Sequence, residues 1–119
     1  MKTILIAEDN DSNYILMTYI IRGHYTPVRA RNGEEAISVV DNGGIDLVLM
    51  DIKMPVMDGL EATRRLKENH PGLPIIALTA NVFDSDRDAA IAAGCDDFLA
   101  KPVNSKICLE TIAKFIEEN

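Results

Sequence analysis

The chain has 119 residues, enough for one domain whose folding buries roughly two thirds of the unfolded surface. Apolar residues make up 47% and charged residues 26%, the balance of a soluble globular protein. A formal net charge of −7 argues against nonspecific binding of this domain alone to nucleic acid or to an anionic membrane surface.

Met1-Lys2 leads straight into "TILIA", too short a run for a signal peptide, and no apolar run approaches the ~20 residues of a membrane span. The strand pattern of Thr3 to Ala7 is followed by "SNYILMTYIIRG", apolar at helical spacing and stopping at Gly23. Asp11 or Ser12 is the candidate cap of that helix. "TPVRAR" (Thr26 to Arg31) is a more polar strand, and Pro27 places it near an edge. "GEEAISVVDNGG" is a short helix closed by Gly43-Gly44. "IDLVLM" (Ile45 to Met50) is an almost wholly apolar strand. Asp58-Gly59 reads as turn chemistry that opens the helix "GLEATRRLKENHPG", whose Arg64, Arg65, Lys67 and Glu68 form a solvated face. "LPIIALT" is a strand. "DSDRDAAIAAG" is a helix capped by Asp84 or Ser85, and "CDDFLA" is a short strand with Asp96 and Asp97 as a solvated start. "NSKICLETIAKFIEEN" is a final amphipathic helix capped by Asn104 or Ser105. His24 and His70 read as exposed residues at helix ends. Cys95 and Cys108 lack metal-ligand spacing and read as free buried thiols of a reducing compartment, so a cytoplasmic location is expected.

Strands alternating with helices imply parallel pairing with both sheet faces covered. The predicted fold class is therefore α/β: a doubly wound, flavodoxin-like, three-layer sandwich on a five-stranded parallel sheet, order 2-1-3-4-5, with the weak second strand at an edge. Ligands of such sheets bind beyond the carboxyl ends of the strands. Those ends carry Glu8-Asp9-Asn10, Asp51, Thr79 and Lys101-Pro102. Three carboxylates gathered there repel one another unless a proton or a cation intervenes. An oxygen-only set of this kind suits Mg²⁺, and Mg²⁺ with a lysine suits phosphoryl chemistry on an aspartyl nucleophile.

The motifs "IAEDN", "LVLMDIKMPVMDG", "ALTA" and "FLAKP" resemble, in order and spacing, those of the receiver domains of two-component response regulators. The likeness runs from Lys2 to about Ile116, and the wording is most like the receivers of hybrid histidine kinases. The resemblance implies one receiver domain over residues 1–119, acting as a phosphorylation-controlled switch in a phosphorelay. Asp51 would be the phosphoacceptor, taking its group from a phosphohistidine on a histidine kinase or histidine phosphotransfer domain. Glu8, Asp9, Asp51 and the backbone carbonyl of Lys53 would hold Mg²⁺, Glu8 through water. Lys101 would pair with a phosphoryl oxygen, and the Lys101-Pro102 peptide would be cis. Thr79 and Phe98 would be the switch pair, altering the face built from the fourth helix, fifth strand and fifth helix. Such a domain is not an enzyme in the ordinary sense, although it would catalyse its own phosphorylation and dephosphorylation. If it belongs to a hybrid kinase, the parent protein would be a kinase. It would be a monomer, or a dimer that forms on phosphorylation. Glu8 stands where many receivers have Asp, and Phe98 lacks the hydroxyl of the commoner Tyr. Lys53 and Asn81 occupy positions that tune phosphoryl lifetime in the family.

Other functions fit the residues less well. A haloacid-dehalogenase-like phosphohydrolase needs a second Asp two residues after the nucleophile, where this chain has Lys53. In a flavodoxin-like binding module the first loop would cradle phosphate, which "EDNDSN" would repel. No GxxxxGK[ST] supports hydrolysis of nucleoside triphosphates. A pseudo-receiver that binds partners without phosphorylation would not need the full set of acids, threonine and lysine.

Overall fold

The structure is a computed structural model and describes residues 1–80 and 85–116. Five strands and five helices alternate: β1 (Thr3–Ala7), α1 (Asp11–Ile21), β2 (Thr26–Ala30), α2 (Gly33–Asp41), β3 (Leu47–Asp51), α3 (Gly59–Asn69), β4 (Ile75–Thr79), α4 (Ser85–Ala93), β5 (Asp97–Ala100) and α5 (Ser105–Ile116). The sheet is parallel throughout, in the expected order β2-β1-β3-β4-β5. β2 is at an edge, as Pro27 requires.

Strand alternation sorts the core into two layers. Ile4, Ile6, Leu47, Leu49, Ile76, Leu78 and Leu99 pack with Met17, Ile21, Cys108 and Ile112 of α1 and α5. Leu5, Ala7, Val48, Met50, Ile75 and Ala77 pack with Ala36, Val40, Ala62, Leu66 and Ala90 of α2, α3 and α4. All five residues of β3, and all five of β4, are buried. Each large aliphatic side chain so buried stabilises the fold by about 1.5–3 kcal/mol.

The register sets the site. Ala7 pairs with Met50, Asp51 with Leu78 and Thr79 with Ala100, so the four strand ends lie at one level. By the same alternation, Glu8, Asp51 and Lys101 fall on the α1/α5 side. Thr79 and Phe98 fall on the side of α2, α3 and α4.

Several sequence expectations need correction. α1 is capped by Asn10, whose Oδ1 accepts from the Asn13 N–H at 2.9 Å, rather than by Asp11 or Ser12. β2 stops at Ala30, because the Arg31 N–H leaves the ladder and donates to Glu35 Oε1 at 3.0 Å. β3 begins at Leu47, since the Asp46 carboxylate accepts from the Thr3 N–H at 2.7 Å. It runs one residue further than expected, with Asp51 as its last member. Lys67 is not a free surface charge, and Asp96 is not simply solvated. Lys67 Nζ donates to Asp96 Oδ2 and to the Leu73 carbonyl, each at 2.7 Å, and Asp96 Oδ2 also accepts from the Ile75 N–H at 2.8 Å. His70 is half-buried and lies 2.8 Å from Asp41 Oδ1. Of the two expected caps of α5, Asn104 is the one, accepting from the Ile107 N–H at 3.0 Å. Asn81 and Asp84 lie outside the described residues.

Candidate functional site

The acidic residues reach one point because three strands end there. Glu8 follows β1, and its own N–H is bonded to the Ala30 carbonyl at 3.0 Å, which extends the β1–β2 pairing by one residue. Asp51 closes β3. Lys101 follows β5, and its N–H bonds to the Thr79 carbonyl at 2.9 Å, so the chain is still paired where the lysine leaves the sheet. Among the described residues, Glu8, Asp9 and Asp51 form a group whose carboxylate oxygens lie within 4.8 Å of one another. Lys101 Nζ sits 3.1 Å from Glu8 Oε1 and 3.2 Å from Asp51 Oδ2. Glu8 is 1% exposed and Asp51 5%, whereas Asp9 lies open to solvent.

The charges do not balance. Burial pushes the Glu8 carboxyl above its usual range, and neighbouring Asp51 pushes it further. Lys101 and the Asn10 N–H, 3.2 Å from Glu8 Oε2, offset only part of this. Burial alone would lower the Lys101 ammonium, but the Asp51 and Glu8 carboxylates outweigh it and hold the group above its ordinary value. Three carboxylates against one ammonium leave room for positive charge. With oxygen as the sole donor type, the set fits a hard divalent cation such as Mg²⁺.

The loop after Asp51 is tightly built. The Lys53 N–H donates to Asp51 Oδ1 at 3.2 Å and so orients the carboxylate. Asp58 caps α3 through the Glu61 N–H at 2.9 Å. A Cβ on Gly59 would lie 2.2 Å from the Asp51 carbonyl oxygen, so only glycine fits against the back of Asp51. A cleft of about 480 Å³ opens beside Asp9, lined by Lys53, Met54, Pro55, Asp58 and Asp86 among others. Lys53 Nζ lies 3.4 Å from Asp86 Oδ2, an ion pair between this loop and α4.

Thr79 is 1% exposed at the end of β4. The Lys101-Pro102 peptide is cis. Phe98 stands apart from the acids. It is half-buried against the α2–α4 core layer, with the Arg87 guanidinium 5.1 Å from its ring centre. Cys95 and Cys108 are buried free thiols, each pushed up to about 11 by burial, and so are not nucleophiles at neutral pH.

Sequence reasoning missed Asp86, Arg87 and Arg29. Arg29 Nε and Nη2 donate to the Glu8 carbonyl at 3.2 and 3.0 Å, and Nη2 lies 3.4 Å from the Asp9 carbonyl. Its one sequence signal was a charge between Val28 and Ala30 in a strand read only as polar and near an edge.

Residues 4–113 match the family described as the response regulator receiver domain. The chain is 37% identical to hybrid signal transduction histidine kinase I of Dictyostelium discoideum, over 98% of this chain and 8% of that protein. It is 35% identical to the polar-differentiation response regulator DivK of Brucella anthropi, over 97% of this chain and 96% of that one. Among solved structures it resembles the receiver domain of sensor histidine kinase PA1611 of Pseudomonas aeruginosa, which has a magnesium ion coordinated in its active site cleft. That match has a TM-score of 0.91 and 34% identity, over 98% of each chain. It also resembles the receiver domain of the Saccharomyces cerevisiae response regulator Ssk1, solved with the histidine phosphotransfer signalling protein Ypd1. Here the TM-score is 0.85 and the identity 31%, over 95% of this chain and 87% of that one.

Proposed function

The chain belongs to the response regulator receiver domain family, the signalling switches of two-component systems, and we propose that Asp51 is its phosphoacceptor. The observation that carries this reading is the placement of a buried carboxylate at the end of a fully buried strand, 3.2 Å from an ammonium and beside two further acids. Glu8, Asp9, Asp51 and the backbone carbonyl of Lys53 would hold Mg²⁺. When bound, the ion would neutralise charge on the phosphoryl oxygens. A carboxylate oxygen of Asp51 attacks phosphorus, the P–N bond to the donor imidazole breaks, and the imidazole leaves with its electron pair. Lys101 stabilises the charge on the phosphoryl group, and the Thr79 hydroxyl donates to one of its oxygens. Water later cleaves the acyl phosphate and regenerates the carboxylate.

The donor would be a phosphohistidine of a kinase or phosphotransfer domain, a class supported by the Ssk1–Ypd1 likeness. Residues 1–119 would form one such domain. Phe98 would move inward as Thr79 turns, altering the α4-β5-α5 face. Among the described residues no helix is long and apolar enough to cross a membrane. The two buried free thiols support a cytoplasmic setting.

The test is incubation with acetyl phosphate, with and without Mg²⁺, of the native chain and Asp51→Asn, read by intact mass. The expected result is a Mg²⁺-dependent gain of one phosphoryl group that Asp51→Asn lacks. A gain that persists in Asp51→Asn would move the acceptor elsewhere. No gain from acetyl phosphate or from a phosphorylated histidine protein would favour a pseudo-receiver.

A further inference from the structure

Arg29 lies on β2, a strand that contributes no residue to the acid cluster. Its side chain is only 16% exposed, and Nη2 lies 2.9 Å from Asp11 Oδ1. The guanidinium carbon sits 4.4 Å from the centre of the Tyr14 ring. One planar cation thus meets the Glu8 carbonyl, the Asp9 carbonyl, the Asp11 carboxylate and an aromatic face. The two carbonyls belong to the peptide planes on either side of the Asp9 Cα. Holding both planes fixes the two backbone dihedrals of Asp9, and with them the direction in which its side chain leaves.

Asp9 needs that support more than its neighbours do. Glu8 is buried and bonded through its own N–H and through Lys101. Asp51 is set in β3 and bonded to the Lys53 N–H. Asp9 is exposed, and its one bond to Arg29 is made by its backbone carbonyl.

We propose that Arg29 is a positioning residue that fixes the turn between β1 and α1, so that the Asp9 and Glu8 carboxylates are preset for a divalent cation. The inference rests on the reading of Glu8, Asp9 and Asp51 as Mg²⁺ ligands. An arginine suits the task because its fork of donors lies in one plane and meets several acceptors at once, which an ammonium does not. Asp11 matches its charge, which blunts repulsion of a bound cation. Groups that orient ligands from behind typically hold 10–100-fold in metal affinity.

The experiment is a Mg²⁺ titration followed by amide chemical shifts, on the native chain, Arg29→Met, Arg29→Lys and Arg31→Met. Arg31 Nη1 also contacts Asp11, at 3.3 Å, but it bonds to neither carbonyl and serves as the control. Arg29→Met is expected to raise the Mg²⁺ dissociation constant roughly tenfold, Arg29→Lys nearly as much, and Arg31→Met not at all. Phosphorylation by acetyl phosphate at saturating Mg²⁺ should return to within about twofold of native, because the loss lies in binding rather than in the chemical step. A general structural defect would lower both. If Arg29→Met does not fold, Arg29→Lys carries the same test. Native-like or tighter Mg²⁺ binding by folded Arg29 variants would overturn this inference and leave the metal site standing. Absence of Mg²⁺-dependent shifts at Glu8, Asp9 and Asp51 in the native chain would overturn both.

Discussion

Glu8 is where the demands of fold and site conflict. It is 1% exposed, burial raises its carboxyl pKa, and Asp51 raises it further. An acid whose folded pKa exceeds its unfolded one binds more protons in the folded state, so stability falls as pH climbs from about the ordinary value of 4.5 through the folded one. Lys101, also raised, changes stability in the same direction but in another window. Its stabilisation is fully present below 10.5 and is lost only at higher pH, outside the same window. Glu8→Gln removes the charge and keeps one acceptor oxygen, which can serve Lys101 or the Asn10 N–H but not both. Without Mg²⁺ at pH 7 it should melt a few degrees above the native chain, the scale on which about 1 kcal/mol acts in a domain of this size. Circular dichroism melts at pH 7 and pH 4 check this, with the gap closing at the lower pH. Equal melting at pH 7 would mean that Lys101 already cancels the strain. The residues at strand ends were legible from sequence, because an acid or lysine directly after an apolar run has a place in a one-dimensional pattern. Arg29 was not, because its carbonyl partner lies 21 residues away, just past the end of another strand. Lys67, bonded to Asp96 across 29 residues, was hidden for the same reason.

The segment joining β3 to α3 carries strain of its own. Val56 has φ of 67° and is 78% exposed, so a β-branched residue occupies the left-handed region without burial to offset it. The loop must turn sharply there, since the Met57 N–H bonds back to the Pro55 carbonyl at 2.7 Å and Asp58 must reach the cap of α3. Left-handed backbone costs a non-glycine residue roughly 1–2 kcal/mol, and glycine gives back about 0.5–1 kcal/mol through its freer unfolded chain. Val56→Gly should therefore stabilise the domain by about 0.5–1 kcal/mol, read as a higher urea midpoint at unchanged slope. A lower midpoint would show that the Val56 side chain contributes packing that outweighs its backbone. The turn itself was legible in Asp58-Gly59. The strained valine was not, because its propensity opposes the conformation it adopts. The ends of β2 and β3 were displaced for a related reason: side chains of Glu35 and Asp46 take N–H groups that apolar patterning assigns to the ladder or leaves unassigned.

Across the whole molecule, the layer order was legible because strand alternation and the βα rhythm leave few topologies, and the register then brings distant acids to one level. That same assembly makes global stability report on the site. An acid cluster only partly matched by Lys101 lowers the stability of a chain that already carries −7, and a proton or a bound cation relieves it. A ligand that binds only the folded state stabilises by RT ln(1 + [L]/Kd), about 2.7 kcal/mol at a hundredfold excess over Kd. Calorimetric melting of the native chain at pH 7 should thus rise with the logarithm of Mg²⁺ concentration. The rise should disappear toward pH 4, where protons compete for the raised Glu8 carboxyl. Asp51→Asn should start higher without Mg²⁺, because one like charge is gone, and climb less on adding it. Parallel rises in native and Asp51→Asn would instead assign the effect to screening of the surface charge. Convergence of the two melting curves at high Mg²⁺ places the relief in the cluster formed where β1 and β3 end.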